Sequence, residues 1–176
     1  MVSSQYEAHW KAMGELAIWY DANAGNRNEA TTRLQLIGRI LFECLGWDRN
    51  DIIAEESHDG QYADYTLNAP RRLLIIEAKK EGAYFELPIG FNGLEYSMPT
   101  LFRTTAALKG AMGQVAGYCQ SRGVPYAAVT NGHQFVVFVA TRSDGVPPFD
   151  GTALVFSSIA QMRDRFMDFW ALSRNS

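Results

Sequence analysis

With 176 residues, 47% of them hydrophobic and 12% aromatic, the chain has enough apolar surface for one packed core and too little length for two large domains. A formal net charge of −3 excludes a protein that grips nucleic acid by bulk basic charge, so any such contact must be local. Cys44 and Cys119 are isolated, no run approaches the roughly 18 apolar residues of a membrane span, and Glu7, His9 and Glu15 interrupt any leader-like pattern. The expectation is a single cytoplasmic domain over residues 1–176, without a disulfide.

Tyr6, Trp10, Met13, Ala17 and Tyr20 recur at helical spacing and predict a first helix over about Ser4 to Asp21. A second is expected from about Asn28 to Leu45, with a stripe of Leu36, Ile37, Ile40, Leu41, Cys44 and Leu45 stopped by Gly46. A strand then begins at Ile52, Asp59-Gly60 turns the chain, and the runs Tyr62–Leu67 and Leu73–Lys79 supply two further strands. The segment from Glu81 to Leu101 carries Tyr84, Phe85, Leu87, Ile89, Phe91, Leu94 and Tyr96, too apolar for a disordered linker; a lid, a binding loop and an extra hairpin are all compatible with it. A third helix follows over about Arg103 to Gln120. Asn131-Gly132 then joins two β-type runs, Tyr126–Thr130 and Gln134–Val139, in a hairpin. A right-handed crossover sets the Val129 strand parallel to the Glu77 strand. Asp144 to Pro148 reads as a loop, and a final helix carries Met162, Phe166, Phe169 and Trp170. The sum is an α/β fold: an antiparallel meander plus a parallel crossover strand in one mixed sheet, flanked by helices.

The chemistry gathers on one hairpin. Side chains alternate along a strand, so Glu77 and Lys79 share a face and Ala78 points away. With a four-residue loop at Ala69 to Arg72, Asn68 faces Leu73, and the register carried back sets Asp64 opposite Glu77. Facing carboxylates repel unless a cation or proton lies between them, so the pair reads as half of an oxygen-ligand metal site, with the Ala78 carbonyl a third oxygen. Mg²⁺, or Mn²⁺ in its place, suits such a set and would make hydroxide accessible near neutral pH, while Lys79 orients the water or stabilises developing charge. The plainer reading makes Asp64, Glu77 and Lys79 solvated charges at strand ends. Against it, Leu73 to Ala78 is apolar on both faces, as in a central strand where charge is seldom left unpaired.

Three further residues have two readings each. Glu29, three residues after Asn26, suits a capping box, yet it and Arg33 extend the core-facing stripe of the second helix and so border a site. Gln114 and Tyr118 share a helix face and could meet a phosphate or steady the lysine, or Tyr118 could be core and Gln114 exposed. Gly110, Gly113 and Gly117 each cost about 1 kcal/mol in a helix, which suggests close approach by backbone or substrate. Arg27, Arg33, Lys80, Arg103, Lys109 and Arg122 are either a local basic rim or ordinary solvated charges. His9, His58 and His133 make no zinc spacing with the cysteines, and there is no Gly-x-Ser-x-Gly elbow.

Taken together, Asn28-Glu29-Ala30-Thr31-Thr32-Arg33, Leu45-Gly46-Trp47-Asp48, Ala63-Asp64-Tyr65, Glu77-Ala78-Lys79, Gln114 with Tyr118, and Thr130-Asn131-Gly132 resemble the PD-(D/E)xK nucleases, in particular the N-terminal nuclease domain of type I restriction enzyme R subunits. The resemblance covers about Asn28 to Val139. It implies a restriction-endonuclease-like core in which Asp64 and Glu77 hold magnesium, Lys79 serves the attacking water, Gln114 and Tyr118 form a Gln-x-x-x-Tyr motif and a helical glutamate sits at Glu29. It further implies DNA as substrate and defence against foreign DNA or phage as setting. Ala63 replaces the proline that names the family, and no Gly-x-x-x-x-Gly-Lys-Ser/Thr loop for a translocating motor is present. The chain is therefore expected to be the N-terminal part of a larger protein whose other domains or subunits supply targeting. The rival readings are a non-catalytic nuclease-fold module that binds nucleic acid or a partner protein, and an RNA-cutting enzyme on the same scaffold.

Overall fold

Two largely apolar stretches, the Leu- and Ile-bearing Arg72–Ala78 and the Val- and Phe-bearing Phe135–Val139, are buried along most of their length and set the middle of the molecule. The computed structural model describes residues 4–88 and 94–174; Ile89 and Phe91 lie outside the described residues. Helix α1 spans Ser4–Asn23. Helix α2 begins in α turns over Glu29–Thr32 and continues in wider π turns over Arg33–Ile37 and Ile40–Cys44. The meander β1 (Ile52–His58), β2 (Gln61–Asn68) and β3 (Arg72–Ala78) follows. Then come β4 (Glu95–Ser97), α3 (Met98–Thr104), α4 (Ala106–Arg122), β5 (Tyr126–Thr130), β6 (Phe135–Val139), β7 (Thr152–Phe156), α5 (Ile159–Asp164) and α6 (Phe166–Trp170).

Among the described residues the strands form one sheet in the order β1-β2-β3-β5-β6-β7-β4. β3 and β5 are parallel, with Glu77 beside Val129; the other pairs are antiparallel. Helices cover both faces. Met13, Leu16, Ile37, Ile40, Phe166 and Phe169 pack with Leu74, Ile76 and Ala78 on one side, while Met98, Leu101, Met112 and Val115 pack with Ile75, Val129 and Val136 on the other. This is the expected architecture: an α/β fold in which an antiparallel meander and a parallel crossover strand share one mixed sheet flanked by helices.

Several expectations change in detail. The β2–β3 loop is one residue shorter, because the register slips at its mouth: Leu67 pairs with Leu74 as expected, but Asn68 pairs with Arg72 rather than Leu73. The third helix is two, broken at the extended Thr105, and the last helix is likewise divided at Arg165. Part of the 81–101 segment is an edge strand, β4, laid against β7, a strand the sequence reading leaves out. Asn28, not Asn26, caps α2, accepting from the Thr31 N–H. Trp10 lies half exposed rather than in the core stripe.

Candidate active site

β3 ends where its last residues leave the hydrophobic layers, and there the sheet stops being regular. Ala63 packs in the α4-side core while Tyr65, two residues on, packs in the opposite one, so the alternation of β2 is broken at Asp64. Glu55, on β1, has φ of 54° at the same level. The break has a consequence for hydrogen bonding. The Lys79 N–H bonds to Thr130 O at 2.8 Å on the β5 side, whereas the Ala78 N–H, directed at β2, is met by the Asp64 carboxylate, Oδ2 accepting at 2.8 Å. A side chain thus stands in for the main-chain carbonyl that a regular ladder would supply. Residues in a strand present N–H and C=O on the same side, so the Ala78 carbonyl also faces Asp64.

Glu77, in the next layer, is 4% exposed. Its Oε1 accepts from Lys79 Nζ at 2.8 Å, and its Oε2 is buried with no hydrogen-bond partner. Burial raises the Glu77 pKa above the ordinary carboxylate value, the charges of Asp64 and Glu29 push it the same way, and Lys79 opposes them. For Lys79 burial works downward but is outweighed by the hydrogen bond to Glu77 and the fields of Glu77, Glu29 and Asp64, so its pKa is raised and it stays charged. Glu29 itself is exposed at the first turn of α2; it reaches the pair through its field and not by a hydrogen bond.

Arg33 closes the other flank. Its Nη1 lies 3.1 Å from Glu55 Oε1 and 3.8 Å from Asp64 Oδ1, and its guanidinium stacks 5.0 Å from the Tyr65 ring centre. Of the two charges that periodicity sets on the inward stripe of α2, Arg33 reaches Asp64 while Glu29 is exposed. Gln114 and Tyr118 are not drawn in: Gln114 Nε2 donates to Tyr118 Oη at 2.7 Å, the Arg122 guanidinium covers the Tyr118 ring, and neither side chain bonds Asp64, Glu77 or Lys79 among the described residues. Gln114 is exposed and Tyr118 buried. The glycines of α4 are also corrected. A Cβ at Gly110, Gly113 or Gly117 would meet nothing within 4 Å, so among the described residues no approaching backbone accounts for them, which leaves the substrate half of that expectation.

A second polar centre escapes the sequence reading altogether. Glu81 is 2% exposed and accepts from Gly25 N, Tyr20 Oη and both the main chain and the guanidinium of Arg27, whose Nη1 sits 2.7 Å from Oε2. Thr32 Oγ1 accepts from the Glu81 N–H at 3.0 Å, and His133 Nε2 lies 2.8 Å from Glu81 O, where it must be the donor. These bonds tie the α1–α2 connection to the chain just beyond Lys79. The only sequence signal was Arg27 near the start of α2, and nothing in its spacing names a partner 54 residues away.

Two carboxylates, a carbonyl and a lysine therefore meet at one end of the β2–β3 hairpin. Among the described residues no three His, Cys, Asp or Glu side chains gather into a closed cage. The donors fit a hard ion that keeps waters and takes its remaining ligands from a phosphate, and the partnerless Glu77 Oε2 is the atom such an ion would satisfy.

No protein-family model matches the chain, and no curated protein does. Among solved structures it is similar to a fragment described as an HsdR subunit of a type I restriction enzyme from Vibrio vulnificus, at 21% identity and a TM-score of 0.49, over 82% of this chain. The match spans 26% of that chain's length.

Proposed function

We propose that this domain hydrolyses DNA phosphodiester bonds with a divalent metal, Mg²⁺ or Mn²⁺, held by Asp64, Glu77 and the Ala78 carbonyl. The observation that carries the reading is Glu77: a carboxylate buried at the end of a central strand, one oxygen on Lys79 and the other without a partner, beside a second carboxylate. Leaving such an oxygen unsatisfied costs about 1–3 kcal/mol, a cost with no structural return unless a ligand completes it. When bound, the metal would polarise the phosphoryl oxygen and acidify a water. The residues of the chain do the rest. Asp64, fixed by the Ala78 N–H, keeps its other oxygen toward Arg33 and the opening; Glu77 holds Lys79 by its ammonium; and Lys79, charged, orients the attacking water and stabilises the charge that grows on the phosphate. Glu29 supports by its field on both Glu77 and Lys79. Gln114, exposed on α4 and steadied by Tyr118, is assigned a phosphate contact away from the metal, a role in line with the sequence resemblance.

The same resemblance makes restriction or anti-phage defence the proposed setting, with further domains or subunits supplying target choice. One observation favours the non-catalytic alternative: Asp64 and Lys79 already have partners within the protein, which a purely structural polar cluster would also show. Plasmid incubation with Mg²⁺ or Mn²⁺ decides between them. Cleavage by the native chain that is lost in Glu77→Ala and in Lys79→Ala supports the hydrolytic reading; equal products from all three indicate contamination, and no cleavage by any favours the binding module. Parallel single- and double-stranded DNA and RNA substrates identify the sugar, which the metal chemistry does not choose.

A further inference from the structure

Tyr84 is 61% exposed, yet the backbone on both sides of it is held by hydrogen bonds. Before it, the Ala83 N–H bonds Lys80 O at 2.9 Å, and Asn131 Nδ2 donates to Ala83 O at 2.9 Å. After it, Gln134 takes both main-chain groups of Phe85, Oε1 accepting from N at 2.8 Å and Nε2 donating to O at 3.1 Å. Asn131 and Gln134 are fully buried and bonded to each other at 2.9 Å. The turn that carries them is built for this position. Gly132 has φ of 91°, and a Cβ there would fall 2.8 Å from Leu36 Cδ1.

The ring so displayed is also pre-stacked. Tyr84 lies 6.3 Å from the His133 ring centre at 19°, and Tyr20 lies 5.8 Å from the same ring at 15°, so three aromatic planes are nearly parallel. His133 is locked by its bond to Glu81 O, and Tyr20 by its bond to Glu81 Oε1. The outermost ring, Tyr84, sits on the loop that begins directly after Lys79, near the exposed Lys80, which has no ion-pair partner among the described residues; Tyr20 stands on α1 and His133 in the β5–β6 turn. An exposed aromatic on a rigid loop loses little entropy when something flat is laid on it. Beside a phosphodiester-cleaving centre the flat group in supply is a nucleobase, and stacking accepts any base that is free of its duplex partner.

We propose that Tyr84 is the stacking platform for an unpaired nucleobase next to the scissile phosphate, so that the domain prefers single-stranded or locally unpaired DNA without regard to sequence. The proposal rests on the hydrolytic reading of Asp64, Glu77 and Lys79, but its test does not use cleavage. Fluorescence anisotropy with labelled oligodeoxynucleotides in EDTA would compare a single strand with a blunt duplex, for the native chain, Tyr84→Ala and Tyr84→Phe. The expected result is a loss of single-strand affinity of about 5- to 150-fold in Tyr84→Ala, near-native affinity in Tyr84→Phe, and a duplex affinity unchanged in both. Equal single-strand affinity for native and Tyr84→Ala, an equal loss on the duplex, or no single-strand binding by the native chain overturns the proposal. A chain that stacks bases in EDTA yet cuts nothing in Mg²⁺ leaves the platform standing and removes only the hydrolytic assignment.

Discussion

Glu77→Gln is expected to make the metal-free protein more stable. Glu77 is buried, its pKa is raised chiefly by that burial, and one oxygen has no partner. A carboxyl whose folded pKa is raised contributes stability that is fully present below its unfolded value and lost as pH rises through the folded value. At pH values above that raised pKa the native protein carries an ionised group that the fold disfavours, at a cost of about 1–3 kcal/mol for the unsatisfied oxygen. The amide removes the charge and its repulsion from Asp64 and Glu29, while Lys79, about a third exposed, can turn to water. For a chain of this size 1 kcal/mol moves the melting temperature by about 2–4 °C, so Glu77→Gln in EDTA should melt a few degrees above native at pH 8. The gap should close as pH falls below the raised pKa. Mg²⁺ works in the opposite direction: at ten times its dissociation constant it adds about 1.4 kcal/mol, or about 3–6 °C, to the native protein. It should add nothing to the variant. Differential scanning fluorimetry across pH, with and without Mg²⁺, reads all of this. A variant that melts below native in EDTA at pH 8, or that keeps the Mg²⁺ increment, refutes the idea that Glu77 is held under-satisfied for a cation.

Other substitutions separate chemistry from support. Lys79→Ala should retain the Mg²⁺ thermal shift while plasmid nicking falls about 10²- to 10³-fold, the usual loss when one charge-stabilising group is removed. Gln114→Ala should weaken DNA binding in EDTA several-fold, as loss of one phosphate contact does, with the Mg²⁺ shift intact, since among the described residues its side chain bonds Tyr118 and none of Asp64, Glu77 and Lys79. Glu81→Gln breaks a buried, bidentate pair with Arg27 and should cost about 3–5 kcal/mol, a fall in melting temperature on the order of 10 °C. For Glu81, burial would raise the pKa but is outweighed by the bonds from Gly25 and Arg27, so its pKa is depressed. Its stabilisation is present above the ordinary carboxylate range and lost as pH falls through the depressed value, and the acid limb of a melting-temperature profile should flatten in Glu81→Gln.

The sheet was legible wherever local chemistry specifies it. Asn131-Gly132 demanded a hairpin and forms one, the apolar run Leu73–Ala78 demanded a buried strand, and the crossover rule set β5 parallel to β3. β7 was missed because Thr152–Phe156 is five residues long and follows a Pro-rich loop with no tight turn to announce it; its pairing with β6 and β4 is a tertiary choice. The split at Thr105 was equally hidden, since an extended residue between two helix formers leaves no mark on a 3.6-residue period. At the site, alternation sets Asp64 directly opposite Glu77; the observed ladder keeps the expected register from Leu67–Leu74 to Tyr65–Ile76 and ends one pair short of them. It could not predict that Asp64 caps the Ala78 N–H, because that bond exists only where alternation fails.

That failure explains how the two acids share a level without the full repulsion of a cross-strand pair. In a regular antiparallel register both carboxylates would stand on one face a few ångströms apart. Here one Asp64 oxygen accepts from a backbone N–H and Arg33 faces the other, so both Asp64 oxygens have partners that do not involve Glu77. Glu77 receives only Lys79, and the remaining deficit falls on its Oε2. Four residues later the same chain segment holds Glu81 with every oxygen satisfied, in bonds that fix α1 and the α1–α2 connection to the end of β3. The Glu81 anchor thus fixes the chain just beyond the strand end that carries Glu77, and loosening it is expected to let Glu77 reach solvent. Weakening Arg27–Glu81 should therefore lower the Mg²⁺-induced shift as well as the melting temperature, because a Glu77 free to hydrate no longer depends on a cation.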